Sequence, residues 1–238
     1  MQNKKETDIS KKIKLFYSRN PFPFSDNVSL GQLRQEYAWL AESFDQPLKG
    51  KNVLDAACGT GVISCSLALE AGKVTGVDFN YVSIKKAKML AKKLKIKNAK
   101  FQYGDLLDWK MNEKFDHVFC IGALHHTGNP LQAFENLTRN VKRSGYITIG
   151  LYNLYTNIPY FIFQKLLNLL MPSQEQRIKF LKFIFPRRDG IRIADMYANP
   201  HKSFHTVSEV RKWFRNHDFV YIKNKSFSGF FLITGKKL

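Results

Sequence analysis

A glycine-rich turn between a predicted strand and a predicted helix is the feature that most constrains this chain. The strand covers residues 51–55, the turn reads Asp55-Ala-Ala-Cys-Gly-Thr-Gly61, and the helix covers residues 61–71. Glycine allows positive φ angles and a close approach of the backbone to a ligand, and the first turn of a helix offers free N–H groups. The pattern therefore predicts a ligand site at the carboxyl end of a strand in an α/β sheet.

Strands and helices alternate along the chain from this turn to residue 151. Short apolar runs predict further strands at 73–78, 99–103, 115–121 and 146–151. Helices are predicted between them, one from an N-cap at Asn80 to residue 94 and one over residues 131–141. This order predicts a mostly parallel sheet that is covered by helices on both faces.

The C-terminal part of the chain predicts the end of the same sheet. Residues 207–216 are predicted as a helix, and residues 219–227 and 230–234 as two strands joined by Ser228-Gly229, a hairpin signal. A hairpin makes the last strand antiparallel to its neighbour. The predicted fold class is therefore α/β: a three-layer, doubly wound sheet of about seven strands, mostly parallel with an antiparallel C-terminal strand.

Four segments follow from these patterns. They are an N-terminal helical and aromatic lid segment at 1–48, the ligand-binding core at 49–151, a helical lid insertion at 152–206, and the final helix and hairpin of the core at 207–238. The N-terminal segment contains Phe22-Pro-Phe24 and a predicted helix at 30–44, and the insertion has helical apolar stretches at 158–171 and 178–185. Lids of this kind exclude water and control what enters a site.

Two more acidic residues follow the next two predicted strands. Asp78 ends the second strand, 23 residues after Asp55, and Asp105 follows the third. A carboxylate after the second strand suits the two hydroxyls of a ribose, and one after the third can accept a hydrogen bond from an adenine amino group. A dinucleotide is the competing ligand, but the third glycine of its G-x-G-x-x-G fingerprint is Ser64 here. The antiparallel last strand also argues against a dinucleotide fold.

These residues resemble the class I, Rossmann-like S-adenosylmethionine (SAM)-dependent methyltransferases, and within them the ubiquinone/menaquinone-type small-molecule group. The resemblance is strong over residues 50–150 and extends by topology to the final helix and hairpin. The family motif E/D-x-G-x-G-x-G is represented here by residues 55–61, with Ala57 in place of its first glycine. The resemblance implies S-adenosyl-L-methionine as the cofactor and S-adenosyl-L-homocysteine as the product.

The resemblance also implies which residues contact the cofactor. They are Asp55, Ala57, Gly59 and Gly61 at its methionine part, Asp78 at the ribose, Phe79, Asp105 and Leu106 at the adenine, and Ile121 in the wall beside the sulfonium. Within this set, Asp55 is expected near the amino group of the methionine part, and Gly59 and Gly61 on either side of that part.

The segment after the fourth predicted strand, Ile121-Gly-Ala-Leu-His-His-Thr-Gly-Asn-Pro130, resembles the family segment that faces the transferred methyl group. In-line geometry supplies much of the catalysis in such a displacement, and a base is needed only where the acceptor loses a proton. His125 and His126 are the candidate catalytic residues, as general bases near neutral pH. The alternative interpretation is that they orient or pack the loop.

Residues near the end of the insertion are candidates for the acceptor pocket. Tyr197, His201 and His205 either line that pocket or belong to a turn before the next helix, which Thr206 or Ser208 caps. No metal is predicted, because no demonstrable helix carries these histidines at H-x₃-H spacing together with Asp195. Three cysteines without CxxC spacing argue against a disulfide framework and favour a cytoplasmic location.

A net charge of +19 leaves the partners open. It favours nucleic acid, an anionic membrane or an acidic partner, or it reflects a solvated surface, since the lysines are spread over many segments. The stretch at 158–171 is too short and too polar to span a bilayer, so it either packs within the lid or makes peripheral contact with a membrane. The sequence does not determine the oligomeric state.

The predicted function is a SAM-dependent methyltransferase that transfers a methyl group to a small or medium-sized organic acceptor. One alternative is a methyltransferase that acts on RNA or protein, which the basic charge favours. No Asn-Pro-Pro-Tyr-type motif, which is common in enzymes that methylate amino groups of nucleic acids, follows the fourth strand. The other alternative is a non-catalytic, SAM-binding partner subunit.

Overall fold

The structure is a computed structural model, and it describes residues 8–19, 28–108, 111–184, 201–227 and 229–238. The predictions made for Phe22-Pro-Phe24, Asp195, Tyr197 and Ser228 lie outside these residues.

Within the described part of the chain, seven strands form one sheet. Their bounds are Asn52–Ala56 (β1), Lys73–Asp78 (β2), Ala99–Tyr103 (β3), Phe115–Ile121 (β4), Val141–Tyr152 (β5), Phe219–Phe227 (β6) and Phe230–Lys237 (β7). The strand order is β3-β2-β1-β4-β5-β7-β6, with the first five strands parallel and β7 antiparallel to both of its neighbours. The predicted doubly wound α/β sheet with an antiparallel C-terminal strand is confirmed.

Helices cover both faces of the sheet. The described helices are Asp8–Arg19 (α1), Leu30–Ala41 (α2), Val62–Leu67 (α3), Tyr81–Lys93 (α4), Pro130–Thr138 (α5), Ile158–Leu170 (α6), Gln174–Ile184 (α7) and Val207–Arg215 (α8). The predicted cap of α4 is confirmed, since the Asn80 side chain accepts hydrogen bonds from N–H groups at the start of that helix. Of the two candidates for the cap of α8, Thr206 and Ser208, Thr206 is the cap and forms a capping box with Glu209.

Several element bounds differ from the sequence prediction for local reasons. The helix α3 ends at Leu67, because the next N–H groups, from Leu69 and Glu70, donate to carbonyl oxygens three residues back and tighten the chain into turns. The strand β5 begins at Val141, where the sequence predicted the end of a helix. A bulge opposite β4, with Ser144 at φ +58°, allows this early start. The strand β7 continues to Lys237, and α7 begins at Gln174.

The sheet is buried between two apolar layers, as a largely parallel sheet requires. On one face, α5 and α8 pack through Phe134, Leu137, Trp213 and Phe214 onto strand residues that include Leu54, Val118, Ile147, Phe231 and Ile233. On the other face, α2 and α3 contribute Leu40 and Leu67 to a cluster with Phe44, Val53, Val74, Phe119 and Leu232. The two layers hold the strands so that the carboxyl ends of β1 to β5 meet at one edge.

A chain of buried hydrogen bonds crosses three strands inside this core. His117 Nε2 lies 2.7 Å from Thr148 Oγ1, which lies 2.7 Å from Thr234 Oγ1, and Thr234 donates to the Ser43 carbonyl oxygen at 2.8 Å. The Thr234 hydroxyl donates its one proton to the Ser43 carbonyl oxygen, so the Thr148 hydroxyl must donate to Thr234. The Thr148 oxygen is then an acceptor toward His117, and the Nε2–H group of His117 donates to it. Burial lowers the pKa of His117 to about 3, so its ring is neutral and carries its single proton on Nε2.

Candidate functional site

A cavity of about 430 Å³ opens at the carboxyl edge of the sheet, where the strand order reverses between β1 and β4. Its volume is within the range of small-molecule and cofactor sites. The wall is built from α1, α2, the first turns of α3 and α4, the loops that follow β1, β2, β3 and β4, and the end of β5. Of the predicted cofactor-binding residues, those that line it are Ala57, Gly59, Asp78, Phe79, Asp105, Leu106 and Ile121. Asp55 and Gly61 are not part of the lining.

The turn after β1 exposes its backbone to the cavity in left-handed conformations. Ala57 has φ +59° and Gly59 has φ +53°. A Cβ atom added to Gly59 would have no other atom within 4 Å, so this glycine leaves open space at the wall. A left-handed conformation costs an alanine about 1–2 kcal/mol. Ala57 therefore holds a conformation that strains an alanine and that a glycine would adopt without this strain.

Gly61 has a packing role rather than a place in the cavity wall. It is the N-cap of α3, with φ +82°. A Cβ atom at this position would lie 2.7 Å from the Ala87 Cβ and 2.9 Å from the Phe101 ring. The glycine thus allows α4 and β3 to approach the turn closely, and this position does not support the predicted contact of Gly61 with the methionine part of the cofactor.

Asp55 lies beneath the turn and is only 1% exposed. Its Oδ2 accepts a 2.6 Å hydrogen bond from the hydroxyl of Ser64, the residue that breaks the dinucleotide fingerprint. Burial raises the pKa of Asp55 to about 7; the Ser64 hydrogen bond opposes this rise and the nearby Asp78 carboxylate adds to it. The side chain therefore supports the turn from below, and its burial does not favour the predicted position near a ligand amino group.

Asp78 presents its carboxylate to the cavity from the end of β2. Its Oδ2 accepts a hydrogen bond from the Gly59 N–H at 2.9 Å, and its Oδ1 accepts one from the Asn80 N–H at 2.8 Å. Burial raises its pKa, the two backbone N–H groups lower it, and Asp105 adds a smaller rise. Each carboxylate oxygen has lone-pair capacity beyond these bonds, so Asp78 can accept from two hydroxyls of a ligand.

The opposite end of the cavity combines an ion pair with apolar side chains. Asp105 Oδ2 lies 2.7 Å from Lys14 Nζ of α1, and its Oδ1 accepts a hydrogen bond from the Leu107 N–H at 3.0 Å. Phe79 lines the same region, and its ring centroid lies 6.2 Å from that of Tyr17 on α1. Phe79 therefore offers an apolar face at this end of the cavity, which suits a flat ligand group such as adenine.

The two adjacent histidines differ in position. His126 lines the cavity, with its ring centroid 6.0 Å from that of Tyr17 and its Nδ1 3.4 Å from the His201 carbonyl oxygen. His125 is fully buried against the Tyr152 ring, and neither of its ring nitrogens has a hydrogen-bond partner among the described residues. Burial lowers the pKa of His125 well below its ordinary value, so this ring is neutral. The geometry favours His126, rather than His125, as the side chain that can meet an acceptor.

The described end of the insertion packs beside these histidines. The His205 ring nitrogens lie 2.8 Å from Ser203 Oγ and 3.0 Å from Glu209 Oε1, which holds the ring in the turn before α8. His201 and His205 are outside the cavity lining, which favours the turn interpretation for them. Among the described side chains, no group of three or more His, Cys, Asp or Glu is placed to hold a metal ion.

The lining residues that were not predicted from the sequence include four with large polar side chains. Lys14 and Tyr17 come from α1, Glu36 from α2 and Tyr152 from the end of β5. The rule that ligands bind at the carboxyl ends of parallel strands also applies to Tyr152 and would have found it. The sequence contains no comparable signal for the other three, since their helices reach the cavity only through tertiary packing.

The wall chemistry fits a nucleoside that carries an amino-acid part. Asp78 offers a carboxylate for hydroxyls, Phe79 and Leu106 offer apolar faces, and Gly59 leaves space for close approach. The Thr60 hydroxyl is buried at the same wall without a hydrogen-bond partner in the described part of the chain, so it is available to a ligand group. This set of groups is compatible with SAM.

Comparison with known proteins gives the same family. The model of the family described as "Methyltransferase domain" matches residues 47–183. The ubiquinone biosynthesis O-methyltransferase of Pseudomonas syringae pv. tomato is 30% identical over 159 residues, which are 64% of this chain and 65% of that protein. The protein of the same name from Coxiella burnetii (strain RSA 493) is 35% identical over 99 residues, or 41% and 42% of the two chains. These matches span less than two thirds of the curated relatives.

Solved structures share the fold at lower identity. The magnesium protoporphyrin IX methyltransferase of Synechocystis PCC 6803, solved with bound SAH, has a TM-score of 0.63 and 17% identity over 96% of this chain and 94% of its own. The PH0226 protein of Pyrococcus horikoshii OT3 has a TM-score of 0.64 and 22% identity over 94% and 99%. The chain therefore belongs to the methyltransferase-domain family, whose Rossmann-like members use S-adenosylmethionine as the methyl donor.

Proposed function

We propose that this chain is a SAM-dependent methyltransferase that acts on a small or medium-sized organic acceptor. The observation that carries the proposal is the cavity, which brings the motif turn after β1, Asp78 and Asp105 together with the loop of His126. Membership of the methyltransferase-domain family supports methyl transfer. The curated relatives act in ubiquinone biosynthesis and one structural neighbour acts on magnesium protoporphyrin IX, and both facts support a small-molecule acceptor.

The residues of the cavity have separate tasks in this function. When bound, SAM supplies a methyl group on a positively charged sulfur, which is a good leaving group. Asp78 accepts hydrogen bonds from the ribose hydroxyls, and Phe79 and Leu106 cover the adenine. Ile121 and Gly122 form the part of the cavity wall where the space for the acceptor begins. A wall that holds the cofactor and the acceptor in line removes much of the entropic cost of the reaction, so the wall itself contributes to catalysis.

His126 is the side chain that can accept a proton from an acceptor hydroxyl or amine. It shares the wall with Tyr17 and Tyr152, so an acceptor in this position contacts two aromatic side chains as well as an imidazole. A positioned base of this kind contributes about 10²–10⁴-fold to a rate. His126→Ala is therefore expected to lower kcat by at least about 100-fold while cofactor affinity stays unchanged.

Two experiments test the proposed function. Titration calorimetry with SAM and with NAD tests the cofactor: SAM is expected to bind and NAD is not, and absence of SAM binding would overturn the proposal. Incubation with methyl-labelled SAM and a cell extract, fractionated into small molecules, lipid, RNA and protein, identifies the acceptor class. Label in the small-molecule or lipid fraction supports the proposal, whereas label in RNA or protein favours the alternative methyltransferase. A chain that binds SAM and labels no fraction favours the non-catalytic subunit.

We also propose that α6 rests on an anionic membrane surface and gives access to a lipid-like acceptor. The helix exposes Ile162, Leu166, Leu169 and Leu170, with Leu169 at 77% exposed, and contains no acidic residue. The net charge of +19 complements an anionic surface, since each basic residue near such a surface contributes about 1 kcal/mol.

Among the described residues, no helix combines the length and apolar character needed to cross a membrane.

Vesicle co-sedimentation tests the membrane proposal. The chain is expected to sediment with phosphatidylglycerol vesicles and not with phosphatidylcholine vesicles, and the double variant Leu166→Glu/Leu169→Glu is expected to stay in solution. Val82→Glu, at an exposed apolar residue of α4, is the matched control and should bind as the parent chain does. Equal sedimentation of the double variant and the control would show that α6 is not the contact.

A further inference from the structure

Glu36 contributes an unpaired carboxylate to the cavity wall. It lies on α2, lines the cavity and is partly buried. Within the described residues its carboxylate has neither a hydrogen bond nor an ion pair, whereas Asp105 is paired with Lys14 and Asp78 accepts two backbone N–H groups. Burial raises the pKa of Glu36, and no cation of the described residues opposes that rise. A partly buried anion without a partner gains most from a ligand that brings a positive charge.

The packing of α2 fixes where this carboxylate lies. One helical turn before Glu36, the Leu33 carbonyl oxygen accepts a 2.6 Å hydrogen bond from the Ser66 hydroxyl, which ties α2 to α3. The helix α3 begins directly after the motif turn, and both Thr60 of that turn and Ile63 of α3 line the same cavity. Glu36 therefore lies at the β1 side of the cavity.

A nucleoside in this cavity has a defined direction. Asp78 lies at the end of β2, and the apolar and acidic groups suited to adenine lie beyond it, after β2 and β3. A ligand with its ribose at Asp78 and its base toward β3 directs its remaining part toward β1, because the strand order there is β3-β2-β1. In SAM that remaining part is the methionine, which carries an α-ammonium group.

We propose that Glu36 binds the α-ammonium group of the methionine part of SAM. The resemblance implied this neighbourhood for Asp55, but Asp55 is 1% exposed, bonded to Ser64 and absent from the lining. The proposal rests on the proposed function, since it requires SAM in this cavity. It makes the N-terminal helix α2, outside the glycine-rich motif, a determinant of cofactor recognition.

Titration calorimetry with two related probes tests the proposal. S-adenosylhomocysteine carries the α-ammonium group, and 5′-deoxy-5′-methylthioadenosine has the same nucleoside without the amino-acid part. Glu36→Gln is expected to weaken S-adenosylhomocysteine binding by about 10- to 100-fold, because a hydrogen bond to a charged group is lost. Binding of methylthioadenosine is expected to change by less than about two-fold.

Control variants separate this role from damage to the fold. Glu42→Gln lies at the end of the same helix, where Glu42 is ion-paired with Lys225 outside the cavity, and should leave both affinities unchanged. Glu36→Asp keeps the charge and is expected to retain more S-adenosylhomocysteine affinity than Glu36→Gln.

Three results for Glu36→Gln would overturn the proposal. The first is an S-adenosylhomocysteine affinity equal to that of the parent chain. The second is a tighter affinity, which would result if a carboxylate of the ligand lay beside residue 36. The third is an equal loss of affinity for both probes. If the parent chain binds neither probe, the proposed function fails together with the role of Glu36. If the parent chain binds both probes and only the selective loss is missing, the role of Glu36 fails alone.

Discussion

Replacing Asp55 by asparagine preserves the shape of this buried side chain and removes its ability to carry a charge. The carboxyl group is 1% exposed, and its pKa is raised to about 7 from an ordinary value of 3.8. Between these two values the folded chain holds a proton that the unfolded chain has released. The stability that Asp55 contributes is therefore complete below about pH 4 and is lost as the pH rises to about 7.

The magnitude follows from the two pKa values. Their difference corresponds to about 4 kcal/mol, at about 1.36 kcal/mol per pKa unit. Between about pH 5 and about pH 8.5 the parent chain loses about 3 kcal/mol of this contribution to stability. The loss levels off above about pH 7, because the folded-state carboxyl group is then mostly ionised. The asparagine variant has no such titration, since an amide stays neutral and can still accept the Ser64 hydrogen bond. Against a total unfolding free energy of about 5–15 kcal/mol, the effect is large.

Urea denaturation of the parent chain and Asp55→Asn at the two pH values measures the effect. The stability of the variant relative to the parent is expected to increase by about 3 kcal/mol from about pH 5 to about pH 8.5. Asp116→Asn is the control. Burial opposes the charge of Asp116, but the Asn52 N–H and Lys142 outweigh it and lower its pKa, so both states are ionised throughout this range. This control should lose the same small amount at both pH values. A pH-independent difference for Asp55→Asn would refute the reasoning.

Three further predictions follow from the geometry. Asp78→Asn is expected to weaken S-adenosylhomocysteine binding by about 10- to 100-fold in calorimetry, and an unchanged affinity would exclude the ribose contact. Gly61→Ala is expected to lower the unfolding free energy by about 2–4 kcal/mol, because the added Cβ atom would lie 2.7 Å from Ala87 and φ is positive. Gly59→Ala should lower it by only about 1–2 kcal/mol and mainly weaken cofactor binding. Equal stability losses of the two variants in urea denaturation would contradict this difference. Thr148→Val leaves His117 Nε2–H without its buried acceptor and should cost about 2–4 kcal/mol in urea denaturation, and a loss below about 0.5 kcal/mol would show that the chain of hydrogen bonds contributes little.

The sheet and its strand-end carboxylates were predictable because their signals are local. Apolar runs and turn residues alternate at strand and helix periods, and parallel strands bring their carboxyl ends to one edge. Asp78 and Asp105 therefore reached the cavity as the sequence predicted. The sequence did not predict the early start of β5, because the residue types around Ser144 do not indicate a bulge with a positive φ.

The division of roles between neighbouring residues was not predictable. Gly59 and Gly61 are both glycines of one motif, yet only the structure shows that Gly61 is required by α4 and β3. His125 and His126 are adjacent, and the packing of His125 on Tyr152 decides which ring meets the cavity. Such differences depend on contacts between residues distant in the chain, which periodicity does not encode.

The position of α1 has a consequence for how long a ligand stays bound. Lys14 of this helix holds Asp105, and the Tyr17 carbonyl oxygen accepts a 2.8 Å hydrogen bond from the Asn80 side chain, so α1 is fastened to the cap of α4. A movement of α1 away from the cavity would break both contacts. The residence time of the product then depends on these two contacts, and salt is expected to shorten it by screening the partly buried ion pair of Lys14 and Asp105.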